Sequence, residues 1–90
     1  MADNRFDPRK VHLSDAEKQY LELLARGYPR AAVAETVGLS EATLKNHLLI
    51  LYRKLRVGNA LSAVSVALSF ELIPPHRVRH HIVKSWEQAA

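Results

Sequence analysis

The stretch "VGLSEATLKNHLLILYRKL", Val37 to Leu55, decides the fold. Gly38 suits the end of one helix. Ser40 is a good N-cap for the next, and Glu41 sits favourably at the positive end of its dipole. From there Leu44, Leu48, Leu51 and Leu55 recur at helical spacing. At about 100° per residue they fall within about 60° of one another, which makes them a core stripe. Lys45, Asn46, Leu49, Arg53 and Arg56 fall on the opposite half. A short helix, a tight turn and a longer helix with a polar back have helix-turn-helix spacing, in which the second helix enters the major groove of DNA. Any helical bundle also has short turns, so spacing alone leaves a plain bundle open.

Working outward, "LSDAEKQYLELLARG" precedes this pair. Ser14 and Glu17 make an S-x-x-E capping box, Tyr20, Leu23 and Leu24 recur at helical spacing, and Gly27 stops the helix. "YPRAAVAETVG" is the short second helix, with Pro29 suited to its first turn and Val33, Ala34 and Val37 as its apolar face. The third helix spans about residues 41–56, and Gly58 is expected to close it. "NALSAVSVALSFELI" reads as a fourth helix stopped by Pro74 and Pro75. "HRVRHHIVKSWEQ" has Val78, Ile82 and Trp86 at four-residue steps and reads as a tail or a short fifth helix. The fold class is all-α, divided into a flexible N-terminal arm over 1–12, a helix-turn-helix domain over 13–73 and a C-terminal segment over 74–90.

The residues of the central pair sharpen the reading. Gly38, Ser40, Thr43, Lys45 and His47 stand where the LuxR/FixJ/GerE family of bacterial transcription regulators has its G-L-S-x-x-T-V-K-x-H motif, and Arg53, Lys54, Leu55 and Val57 continue the match. From Leu13 to Leu68 the chain resembles that family. The resemblance implies a four-helix DNA-binding domain, with the third helix as reader and the fourth commonly at a dimer interface. A domain of this size on its own resembles the family's small sporulation regulators, which lack a receiver or ligand-sensing domain. Double-stranded DNA is then the expected partner and Arg30, Thr43, Lys45, Asn46, His47, Leu49, Arg53 and Lys54 the expected contacts. Lys45 can reach phosphate or a guanine edge and Asn46 an adenine edge; Arg53, Lys54 and Arg56 suit phosphates.

The chain also departs from the family. Ala31 and Ala32 stand where lysine and glutamate are frequent, and Gly58 and Ala60 where basic residues follow the third helix. Leu49 and Ile50 replace small or polar residues of the reader. Two accounts of these aliphatics stay open. Leu49 touches thymine methyls in the groove, or both residues cover a protein interface and the domain is an antagonist or adaptor that grips another regulator. The fourth helix carries two apolar stripes, Leu61, Val64, Leu68 and Leu72 on one side and Ala63, Val66, Phe70 and Ile73 on the other. A helix apolar on both sides must be covered on both sides. The second stripe is therefore assigned to a homodimer interface, with the fifth helix folding back over it as the alternative.

Composition narrows the rest. Ninety residues make one small domain, 48% hydrophobic, which is globular rather than disordered. The formal charge of +4 leans towards an anionic partner. Without cysteine there is neither a disulfide nor a thiolate metal site. No apolar run suggests a signal peptide or a membrane span, so a cytoplasmic protein without membrane partners is expected. His76 and His80 are four apart but lack a third ligand, so no metal is expected. No nucleophile with a base, no acid pair and no phosphate-cradling loop is legible. The expectation is a protein with neither enzyme activity nor cofactor.

Overall fold

The computed structural model describes residues 6–74. The capping box forms as written: the Ser14 hydroxyl accepts from the Glu17 backbone N–H at 3.1 Å, and the Ser14 N–H donates to Glu17 Oε1 at 3.0 Å. Two donors that a helix start leaves orphaned are thereby satisfied. The helix behind it, α1, spans Asp15–Ala25. Pro29 precedes α2, Arg30–Val37. Ser40 caps α3, Glu41–Leu55, by accepting from the Thr43 N–H at 3.1 Å. Asn59 Oδ1 accepts from the Ser62 N–H at 2.8 Å and opens α4, Ala60–Ser69. No strand occurs among the described residues. The all-α reading holds.

The leucine stripe of α3 is the centre of the core. Leu44, Leu48, Leu51 and Leu55 are all buried, against Leu21 and Leu23 of α1, Val33 and Ala34 of α2, and Ala63 and Ala67 of α4. α1 packs on each of the other three helices, and α2 and α3 pack on each other. Helix α3 thus has one face locked inward and the opposite face free.

All four helices end the same way. The chain turns through a left-handed residue, and the N–H groups of that residue and of the next one bond back to the last carbonyls. After α2, for example, the Leu39 N–H donates to the Ala34 carbonyl at 2.9 Å and Gly38 has φ 75°. Glycine fills the left-handed position after α1 and α2, at Gly27 and Gly38. After α3 it is Arg56, φ 55°, and after α4 it is Glu71, φ 54°. This corrects two boundaries. Arg56 closes α3, where Gly58 was expected, and α4 stops at Ser69, short of Pro74. The Leu72 N–H donates to the Ala67 carbonyl at 2.8 Å, and the chain folds back so that Ile73 enters the core.

The N-terminal segment differs from a bare arm. From Phe6 onward it is ordered against the domain: Asp7 caps a 3-10 turn at Pro8–Lys10 and Pro8 is buried. The Arg56 guanidinium lies over the Phe6 ring, 4.6 Å from its centroid. The fifth helix suggested by Val78, Ile82 and Trp86, and the pair His76 and His80, lie outside the described residues.

A left-handed L-residue costs roughly 1–2 kcal/mol that glycine does not incur, offset in part by glycine's larger unfolded-state entropy. Glu71 is exposed. Glu71→Gly is expected to raise unfolding free energy by about 0.5–1 kcal/mol, measured as a higher urea midpoint at unchanged slope.

Candidate nucleic-acid interface

The outward half of α3 presents Lys45, Asn46 and Arg53, all exposed. Leu49 and Ile50 lie among them, 42% and 52% exposed. The first turn of α2 contributes exposed Arg30. Burial pushes the Tyr52 phenol up, against the opposing pull of the Arg30 guanidinium. Thr43 is exposed in the first turn of α3, where its Oγ1 accepts from the Ser40 hydroxyl at 2.9 Å. Arg30, Lys45, Asn46 and Arg53 thus have exposed polar ends, whereas Thr43 has one bond inside the cap.

Two of the expected contacts are tied to α1. Lys54 is half-buried: its ammonium donates to Glu17 Oε1 at 2.8 Å and to the His12 carbonyl at 3.4 Å. Lys54 follows Arg53 by about 100° around the helix, which turns it off the outward face. It therefore does not stand with Lys45 and Arg53 as a free cation; its charge is matched by a buried carboxylate. His47 remains exposed, but its Nδ1 is 3.0 Å from the Tyr20 hydroxyl. Both links were invisible in the linear pattern, because the partners are 37 and 27 residues apart.

Leu49 and Ile50, neighbours in sequence, face different surroundings. Leu49 lines an open groove of about 730 Å3 with Leu24, Tyr28, Arg30, Tyr52, Leu61 and Val64 among its walls. Ile50 lines a smaller hollow of about 310 Å3 beside Glu17, Tyr20, His47 and Lys54. Tyr28 and Tyr52 were not picked out from the sequence. Tyr52 could have been, since it falls about 80° from Leu44, on the border between the core stripe and the outward half.

The four residues assigned to a dimer interface do not share a surface. Ala63 is 0% and Ile73 1% exposed inside this one chain, and Val66 is half-buried against the same core. Phe70 is exposed, with the Arg9 guanidinium 6.0 Å from its ring centroid. The physical reason is the early end of α4. Beyond Ser69 the helical count no longer applies, and the small side chains of Ala63 and Ala67 are what let α4 approach the bundle. The outward apolar row is the other one: Leu61, 81% exposed, with Val64 and Leu68 half-buried.

Residues 11–67 match the family described as bacterial regulatory proteins, luxR family. The chain belongs to the LuxR family. Its α2–α3 pair is the helix-turn-helix of this family of DNA-binding transcription regulators. Over 63 residues it is 35% identical to a protein named as an HTH-type transcriptional regulator in the exeN 3′ region of Aeromonas salmonicida, covering 70% of this chain and 32% of that protein. Over 71 residues it is 32% identical to the transcriptional activator protein AnoR of Acinetobacter nosocomialis, covering 79% of this chain and 30% of AnoR. The matched part of the chain spans about a third of the length of these two relatives. No solved structure matches. Among the described residues no helix is long and apolar enough to cross a membrane, and no group of His, Cys, Asp or Glu is arranged to hold a metal.

Burial pushes the Glu17 carboxyl up, but the Lys54 ammonium and the Ser14 backbone N–H together outweigh it and hold the carboxyl below the ordinary glutamate value of 4.5. A depressed folded value means stability that is complete above the unfolded value and lost as pH falls through the folded one. Urea midpoints are therefore expected to decline as pH drops below about 4.5. Glu17→Gln should be less stable near neutrality and show a shallower decline; parallel pH profiles for parent and variant would contradict the assignment.

Proposed function

We propose that the chain is a sequence-specific DNA-binding transcription regulator that lays α3 in the major groove. One observation carries this: the buried leucine row leaves Lys45, Asn46 and Arg53 together on the free face, with Arg30 at its flank. A helix about 10–12 Å across fits a major groove about 12 Å wide. Lys45 reads a guanine edge or binds phosphate, Asn46 pairs with an adenine edge, and Leu49 meets a thymine methyl. Arg30, Arg53 and Arg56 engage phosphates, and Thr43 and His47 flank the reader. With Ala31 and Ala32 at the start of α2 and Lys54 held by Glu17, the electrostatic part is thin, so the salt dependence is shallow.

Binding is dimeric in this reading, with two readers on neighbouring half-sites. Because Ala63 and Ile73 are buried within one chain, the dimer face in this reading is the outer row of α4, Leu61, Val64 and Leu68. A largely exposed leucine next to half-buried aliphatics gains burial from a second copy at little cost to the monomer.

The groove favours a second reading. An apolar trough whose walls include Leu49 and Leu61 is also the shape of a protein-binding site, and an adaptor that grips another regulator would use it.

Lys45→Ala is expected to weaken specific binding by about 1–3 kcal/mol, and Leu49→Ala to change base preference at one or two positions by about 1–3 kcal/mol with little change in salt slope. Ile50→Ala should leave preference intact. Binding-site selection on random duplexes and polarisation over a salt series read all three. Weak, sequence-blind binding throughout, with Leu49→Ala and Ile50→Ala both losing a protein partner, would establish the adaptor instead. For the dimer, Leu61→Lys should leave helicity unchanged and shift sedimentation from dimer to monomer. A parent that is monomeric at high micromolar concentration contradicts it.

A further inference from the structure

Tyr20 is a core residue with a polar end at the surface. Its ring is buried among the leucines of α1 and α3, while its hydroxyl lies at the hollow it shares with His47, Ile50 and Lys54. The hydroxyl oxygen is 3.0 Å from His47 Nδ1, and the two rings are 6.1 Å apart at 38°. They meet through that bond and not by stacking. Among the described residues, His47 is the partner this hydroxyl has.

A phenol offers one O–H, and a neutral imidazole offers one acceptor nitrogen and one N–H. A hydroxyl partly withdrawn from water donates to the acceptor within reach, because leaving its hydrogen unpaired costs more than the bond contributes. If Tyr20 donates to Nδ1, the ring proton of neutral His47 must sit on Nε2. Nε2 makes no bond of its own within the described residues, and His47 is exposed. In that tautomer the histidine presents its remaining N–H outward, with its ring held from behind by Tyr20.

We propose that Tyr20 is a positioning residue for DNA binding: it selects the Nε2–H tautomer of His47 and aims that N–H at a phosphate oxygen flanking α3. The proposal rests on the DNA-binding reading above. It gives the phenol a role that core packing does not need, since phenylalanine would fill the same space. A phosphate contact of this kind is sequence-blind and fixes the register of the reader on the duplex. It adds a donor where Lys54 is engaged with Glu17.

The test uses the full chain. Imidazole 15N shifts at a pH where His47 is neutral should show protonated Nε2 and bare Nδ1 in the parent, and a mixture of tautomers in Tyr20→Phe. Affinity for a mixed-sequence fluorescent duplex at low salt should fall about three- to tenfold in Tyr20→Phe, the worth of one hydrogen bond. In a His47→Ala background the same substitution should change nothing. A parent with the proton on Nδ1 overturns the proposal. So does a Tyr20→Phe loss of equal size with and without His47, which would mark a packing role. If the parent binds no duplex at low salt, the DNA reading itself falls and takes the phosphate role with it, while the 15N shifts still decide whether Tyr20 sets the tautomer.

Discussion

The rotation of α3 about its own axis is the constraint on which the rest depends. Leu44, Leu48, Leu51 and Leu55 are buried together, and a helix turned by one residue would move every side chain by about 100°. Such a turn would exchange leucines for Lys45 or Leu49 in the core and leave a charge or a void there. Each buried leucine contributes about 1.5–3 kcal/mol relative to exposure, so a misrotated α3 forfeits much of a small domain's net stability. Which residues form the outward face is therefore decided by the core.

Polar ties from α1 add axial placement to that rotation. The Glu17–Lys54 pair and the Tyr20–His47 bond both join α1 to one flank of α3. Glu17 does double duty, because the Oε1 that accepts from Lys54 also closes the capping box on Ser14. The start of α1 and the later turns of α3 are thereby coupled through one carboxylate oxygen. A half-buried ion pair of this sort is a modest contributor to stability against apolar alternatives, yet removing Lys54 alone would leave the buried Glu17 carboxylate unmatched. That asymmetry suits a device for fixing where two helices meet. The pair also takes Lys54 out of the exposed cations of α3, while the formal charge of +4 is unchanged because Glu17 is matched with it.

Local chemistry made most of the frame legible. Ser14, Ser40, Gly27 and Gly38 mark helix ends because each solves a problem confined to one turn, and the leucine row of α3 is legible because its spacing is regular and its residues large. Legibility failed where the solution is non-local or goes against propensity. Arg56 and Glu71 take left-handed conformations usually left to glycine, so Gly58 reads as the residue that closes α3, and α4 reads as running on to the prolines. On α4 the larger side chains drew the eye, yet Ala63 and Ala67 are the buried ones. Close approach of two helix backbones rewards small residues. Lys54 reads as a DNA contact in sequence because nothing in its neighbourhood shows that Glu17 faces it.

Leu49 and Ile50 bring the two kinds of constraint together. Neither is needed for the core, which the leucine row fills without them. Both are tolerated because isolated exposed aliphatics forfeit burial without creating strain. Their consequence lies in how recognition is divided. A reader with many cations gains affinity from counterion release, and that gain falls steeply with salt and is blind to sequence. On the DNA-binding reading proposed above, Leu49 on that surface shifts the balance towards short-range contact, which depends on shape and hardly on ionic strength. Leu49 further stands where the outward face of α3 meets the groove walled by Tyr52 and Leu61. Whatever fills that groove must approach Arg30 and Leu49. On the DNA-binding reading proposed above, a protein seated there and a duplex on the outward face of α3 would compete for the same two side chains.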